Sequence, residues 1–221
     1  MNAGELLARG LAHLGIACTP AQLEALETHR SELERWNRAY GLVKASGEEL
    51  IVRHFLDSLA GLPVIRGLHP RSTMLDVGSG AGFPGIPLAV FLPDCEVTLL
   101  ERSSRRAAFL ANVALLVGLR HVRVEEKQLD ELTGRFDLVT FRGFSPLARE
   151  LDGLLRVLSP EGHLVAYKGR RERVLAELQA AGVGEGEAAV HALQVPFLEA
   201  ERHLVVINFV DKARREGYDL R

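Results

Sequence analysis

Met74-Leu75-Asp76-Val77-Gly78-Ser79-Gly80-Ala81-Gly82-Phe83-Pro84-Gly85 reads as a short apolar strand that ends in a glycine-rich turn and feeds a helix. Glycines at alternate positions let the backbone turn tightly and approach a ligand closely, because no Cβ stands in the way. An acid, Glu101, closes the next apolar run, Glu96–Leu100. A carboxylate at the end of a second strand is placed to take the hydroxyls of a ribose. The pattern predicts a nucleoside-cofactor site on an α/β sheet.

Outward from this stretch, strand and helix alternate. Strands are expected at 73–77, 96–100, 121–125, 136–141, 162–168, 189–195 and 203–210, with helices near 84–92, 104–117, 146–157 and 171–181. Such alternation means a mostly parallel sheet covered on both faces. Only Phe197 to Glu201 join the last two β-rich runs, too few residues for a parallel return, so one of those strands must be reversed. The first seventy residues read as helices. Thr19-Pro20-Ala21-Gln22 is a capping-box start with proline at the first helical position, Leu23, Leu26, Leu33, Trp36 and Tyr40 follow helical spacing, and Gly41 stands as the stop. A further helix is expected from about Glu48 to Ala60. The chain thus divides into a helical extension (1–70), an α/β domain (71–211) and a basic tail (212–221).

Composition sets bounds. Of 221 residues, 47% are hydrophobic and 25% charged, the balance of an ordinary soluble globular protein. Cys18 and Cys95 have no metal-type spacing, fit a reducing compartment and read as packing residues; no metal is expected. The N-terminal residues lack the pattern of a secretory signal, and the longest nearly apolar run, Ala107 to Leu119, is too short to span a bilayer. A cytoplasmic enzyme, monomeric by default, is the expectation. The net charge of −2 gives no global sign of a polyanion partner. Basic residues are nevertheless clustered at Arg102, Arg105 and Arg106, at Lys168, Arg170, Arg171 and Arg173, and at Arg202, Lys212, Arg214 and Arg215, and a local basic face can grip phosphates.

Gly80-Ala-Gly82-Phe-Pro-Gly85 matches the dinucleotide pattern GxGxxG, so NAD and a redox module must be weighed. The match is out of register, since Gly78 is the glycine that leaves the strand. Pro84 and Pro87 remove N–H groups that a pyrophosphate would use, and no second mononucleotide half follows. There is no GxxxxGK[ST] phosphate loop. Asp-Val-Gly-Ser-Gly-Ala-Gly, an acid after the second strand and a reversed late strand resemble instead the Rossmann-like fold of S-adenosylmethionine-dependent methyltransferases.

Several further motifs in order narrow the resemblance: Trp36-Asn37-Arg38-Ala39-Tyr40, Arg53-His54-Phe55-Leu56-Asp57-Ser58, Asp76 to Pro87, Lys168-Gly169, Leu193-Gln194-Val195-Pro196 and Glu201-Arg202-His203-Leu204-Val205. From roughly Leu33 to Val210 the chain resembles the RsmG (GidB) family, bacterial methyltransferases of small-subunit ribosomal RNA. It departs at Arg142-Gly143, where members commonly carry Arg-Ala. The resemblance implies a seven-stranded sheet with one reversed C-terminal strand. It also implies methyl transfer from S-adenosylmethionine to N7 of one guanine in 16S ribosomal RNA, free or within the small subunit. The alternative is a methyltransferase of the same fold acting on a small molecule or protein. Carried over by motif, the cofactor contacts are Gly78, Gly80 and Phe83, then Glu101, Arg102 and Ser103, then Leu129 and Asp130, and Arg142. Gln128 and Glu131 would serve beside Asp130 equally well.

Guanine N7 bears a lone pair and no proton, so the reaction needs alignment rather than a general base. Arg142 is therefore expected to position cofactor or target. Lys168, Arg170, Arg171 and Arg202 are expected on RNA phosphates, with Arg202 equally suited to an ion pair that fixes the last hairpin. Arg53 and Asp57, like His54 and Ser58, stand four apart on one expected helix. They could face RNA, but more often such a set locks helix to sheet. Trp36 reads as a core residue rather than a stacking platform.

Overall fold

A computed structural model describes residues 2–68, 73–143 and 146–208. Seven strands form one sheet: β1 Thr73–Val77, β2 Glu96–Leu100, β3 Val122–Glu125, β4 Phe136–Arg142, β5 Leu158–Lys168, β6 Ala188–Leu193 and β7 Arg202–Asn208, in the order β3-β2-β1-β4-β5-β7-β6. The first five pair in parallel, and β7 runs antiparallel to both β5 and β6. The short connection before Arg202 thus makes the hairpin that its length demands. β1 lies between β2 and β4, where the order reverses, so the chain leaving Val77 and the chain leaving Arg142 diverge from neighbouring strand ends. That crevice is where open α/β sheets hold ligands.

The helices α1 Ala3–His13, α2 Pro20–Tyr40, α3 Gly47–Leu50, α4 Asp57–Ala60 and α5 Leu62–Gly67 precede the sheet. Both sides of the Thr19 capping box form, and Gly41 ends α2 in the left-handed conformation (φ 58°). The helix expected over 48–60 is continuous in direction, but its middle, Ile51–Leu56, is a π-helical turn. Such single wide turns recur at functional sites. Between strands lie α6 Gly85–Phe91, α7 Ser104–Val117, α8 Leu147–Arg156 and α9 Arg171–Ala180. α8 and α9 cover one face through Leu147, Leu151, Leu154, Val174 and Leu178. On the other face, Leu6, Leu26, Phe55 and Leu59 of the N-terminal helices share one apolar cluster with Ile86 and Phe109 and with Met74, Val97 and Leu138 of the sheet. The expected tail, 212–221, lies outside the described residues.

α6 approaches β1 and β2 at a position where only glycine fits. A Cβ on Gly85 would stand 2.4 Å from Leu99 Cδ2 and 2.5 Å from Asp76 Oδ2, both fully buried. The Gly85 N–H also donates to Asp76 Oδ2 at 3.1 Å, so a shift that relieved the clash would break that bond. Gly85→Ala is expected to lower the unfolding free energy by about 1–3 kcal/mol, the range of core overpacking, in a urea titration.

Candidate active site

Three strand ends build a groove of about 850 Å³. β1 supplies Val77 and Gly78, β2 supplies Leu100, Glu101 and Arg102, and the segment after β3 supplies Lys127 to Asp130. Gly78 and Gly80 have φ of 69° and 59°, the left-handed region that glycine enters without strain. Glu101 is 4% exposed; its Oε2 accepts from Gly80 N–H at 3.0 Å and its Oε1 from Ser103 N–H at 2.9 Å. The acid therefore ties the glycine loop to the turn after β2 and presents its remaining lone pairs to the groove. Below the loop, His29 is fully buried and its Nε2 donates to the Ala81 carbonyl at 2.9 Å. Burial pushes His29 down to about 4 and pushes the Asp76 carboxyl up to about 7.

The far wall was not legible as a site in the sequence. Arg149, Glu150 and Gly153 of α8 line it, together with Arg106 and Lys127. A Cβ on Gly153 would lie 3.1 Å from Leu129, so the missing side chain lets α8 close on the loop. Arg156, in the last turn of α8, donates through Nη1 to the Leu132 carbonyl at 2.7 Å and through Nη2 to that of Leu129. Its guanidinium clamps the short helical turn Leu129–Glu131 that carries Asp130.

A second recess of about 440 Å³ meets the groove at Gly143. It is lined by Arg53, His54, Asp57, Arg142, Lys168 and Arg202 among others. Asp57 is its anchor: Oδ2 accepts from Arg142 Nη1 at 2.9 Å and Oδ1 from Arg202 Nε at 2.8 Å. Arg142 also donates to the Arg53 carbonyl at 3.0 Å and to His54 Nδ1 at 2.7 Å, and lies 5.3 Å over the Phe83 ring. Because Nδ1 accepts, the neutral ring carries its proton on Nε2. Burial and the adjacent Arg142 charge push His54 down to about 3, so it stays neutral.

The sequence-derived residues thus divide between two places. Gly78, Glu101, Arg102, Leu129 and Asp130 come together in the groove, while Ser103 lines an adjoining recess with Arg102, Gln128 and Glu131. Gly80 acts through its N–H on Glu101. Phe83 is buried among His29, His54 and Phe55. Arg142 and Arg202 meet on Asp57, which answers the Arg53–Ser58 motif: Asp57 and Ser58 are buried, and Tyr167 Oη donates to the Ser58 carbonyl at 2.6 Å. The Arg53 side chain pairs with Glu49 at 2.8 Å, while its carbonyl shares Arg142 Nη1 with Asp57. Lys168 pairs with Glu177 at 2.7 Å, whereas Arg170 and Arg171 are exposed.

The family described as "GidB: rRNA small subunit methyltransferase G" matches residues 22–205. The chain belongs to this family. A "Ribosomal RNA small subunit methyltransferase G" of Neisseria meningitidis is 37% identical over 212 residues, covering 94% of this chain and 99% of that protein. One from Halorhodospira halophila is 43% identical over 193 residues, covering 86% and 87%. Among solved structures, a SAM-dependent methyltransferase from Aquifex aeolicus aligns with a TM-score of 0.53 at 18% identity, covering 69% of this chain and 93% of its own; that likeness speaks for the fold. The family's cofactor is S-adenosylmethionine, and the donor set fits it: a groove of suitable size, a buried acid at the end of β2 and left-handed glycines at the end of β1.

Two expectations follow. Arg156→Ala frees the Leu129–Glu131 turn and is expected to weaken S-adenosylmethionine binding severalfold by calorimetry. RNA binding, measured separately, stays unchanged. His29, ordinarily titrating at 6.5, takes up a proton on unfolding between about pH 6.5 and 4. Its share of stability is therefore lost as pH falls through that window, by about 1.4 kcal/mol per pH unit. Asp76, raised from 3.8 to about 7, holds a proton that the unfolded chain has released, so its share is lost as pH rises through the same range. The two oppose each other in the wild type. In urea titrations at pH 4.5 to 6.5, His29→Gln is expected to lose about one proton's slope on the acid side.

Proposed function

We propose that the chain transfers a methyl group from S-adenosylmethionine to N7 of one guanine in small-subunit ribosomal RNA. The recess beside the cofactor groove takes the target base, and the observation that carries the reading is the state of His54. Its Nδ1 lone pair is spent on Arg142 at 2.7 Å, and it stays neutral down to about pH 3. A ring in that state is a fixed Nε2–H donor at the recess and no proton acceptor. Such a residue suits an acceptor atom that has nothing to lose.

S-adenosylmethionine supplies, when bound, a methyl group on a positively charged sulfur, which an N7 lone pair takes without any proton moving. The protein's work is then placement. Gly78 and Gly80 admit the cofactor closely, Glu101 takes ribose hydroxyls, and Leu129 and Asp130 flank the adenine. Arg142, held at four points by Asp57, His54, the Arg53 carbonyl and the Phe83 ring, fixes the wall between cofactor and base. Lys168 and Arg202 lie at the rim of the recess and, with Arg170, of a neighbouring groove, and exposed Arg171 follows them; phosphates pass along this edge. The bacterial cytoplasm, where ribosomes are assembled, is the compartment this activity needs.

The test supplies labelled S-adenosylmethionine and small subunits from a strain lacking the modification. Label is expected in 7-methylguanosine at one position; label in any other nucleoside, or none, refutes the reading. At saturating substrates the single-turnover rate is expected to stay level from about pH 6 to 9, since no base titrates. His203, whose Nδ1 donates to the Gly169 carbonyl at 2.6 Å, keeps an Nε2 lone pair. A His203→Asn rate within a few-fold of wild type is the outcome that base-free transfer requires.

A further inference from the structure

Away from the recess, a line of rings runs from the core to the surface. Phe109 of α7, fully buried, meets Trp36 of α2 edge-on at 5.6 Å, and Trp36 meets Tyr40 at 5.5 Å. The guanidinium of Arg105 lies 5.0 Å over the Tyr40 ring. Tyr40 is 46% exposed and Arg105 is exposed, with no carboxylate paired to it among the described residues. Arg102 and Arg106 beside it are exposed too, and both line the cofactor groove. Three like charges thus stand within five residues, a local basic patch that can grip phosphates.

The platform is rigid. Asn112 of α7 donates to Glu32 of α2 at 2.8 Å, which fixes the two helices side by side. Beyond Gly41, the Asn37 side chain both donates to the Val43 carbonyl and accepts from the Val43 N–H, each at 2.9 Å, and so clasps the loop. From Tyr40 the chain passes exposed Lys44 and reaches His54 and Arg142. It therefore links the α7 side of the cofactor groove to the recess on the β4 side.

We propose that Tyr40 and Arg105 form a stacking platform for a single-stranded nucleotide flanking the target base, with the RNA strand crossing the cofactor groove to reach it. The proposal rests on reading the substrate as RNA. Bases in loops stack on aromatic rings and on guanidinium planes, and an exposed ring–guanidinium pair offers both. The occupant is single-stranded RNA because the surface combines cations for phosphates with flat faces for bases. A folded protein partner would call for a wider apolar patch.

Trp36, the one tryptophan, touches Tyr40 and reports on it directly. In the full chain, Trp36 emission is expected to be quenched by a short single-stranded RNA. Tyr40→Phe keeps the ring and is expected to behave as wild type. Tyr40→Leu is expected to bind the RNA and the small subunit about tenfold more weakly, without quenching, at unchanged affinity for S-adenosylmethionine and unchanged melting temperature. Arg105→Ala is expected to weaken binding and reduce the salt slope by about 1. Tyr40→Leu methylating subunits with the wild-type KM overturns the platform and leaves the rRNA reading intact. Tyr40-dependent quenching by a wild-type chain that methylates no RNA keeps the platform and overturns that reading.

Discussion

One carboxylate joins three distant parts of the chain. Asp57 follows a π-helical turn, Arg142 ends β4 and Arg202 begins β7, and both arginines close on the two oxygens of that acid. Bringing three charges out of water is costly, and the arrangement holds only because each Asp57 oxygen has a short, directed partner. Removing Asp57 would leave two neighbouring arginines unopposed, at a cost of about 3–5 kcal/mol, whereas losing one arginine leaves the acid paired with the other. The interaction also leaves one net positive charge at the mouth of the recess. Burial, reinforced by the Arg142 charge, holds His54 neutral, and the surplus charge makes the pocket attractive to a polyanion. Stability, tautomer and substrate charge thus depend on one acid.

The sheet was legible because its signals are local. Apolar runs and a hairpin connection too short for a crossover mark seven strands and the reversal of one of the last two; the pairing shows that it is β7. The glycine loop and Glu101 were legible for the same reason: turn, approach and acid lie at strand ends that the pattern itself locates. Arg149, Glu150, Gly153 and Arg156 carry no such mark. They look like positions on an ordinary amphipathic helix, and only the packing of α8 on the Leu129–Glu131 turn puts the first three in the groove and Arg156 on the carbonyls of that turn. The π-helical turn was equally hidden, since Ile51–Leu56 has the composition of a regular helix. Helical spacing put Arg53 and Asp57 on one face, and both line the recess; hidden in the sequence were their partners, Glu49 for Arg53 and the two arginines for Asp57.

The N-terminal helices owe their place to burial rather than to propensity. Leu26, Leu33, Phe55, Leu59 and Leu62 are fully buried and belong to the same cluster as Met74, Val97 and Leu138 of the sheet. Gly61 lets the segment close on β5, since a Cβ there would lie 2.6 Å from Tyr167 Oη. Displacing this layer would expose the whole apolar face it covers, so His54 and Asp57 are as firmly placed as the strand ends they meet.

Firm placement is what a proton-free transfer demands. When no general base contributes, the rate depends on how closely nucleophile, methyl carbon and sulfur are aligned, and small displacements are costly. The groove is walled by strand ends and by a helix clamped through Arg156, and the recess by a carboxylate shared between two strands and a helix. Each wall is fixed by bonds that span long stretches of sequence: Asp57 to Arg202, His54 to Arg142, His29 to Ala81. A site built this way needs few reactive groups and many supports, and its chemistry is read more from the supports than from any one side chain.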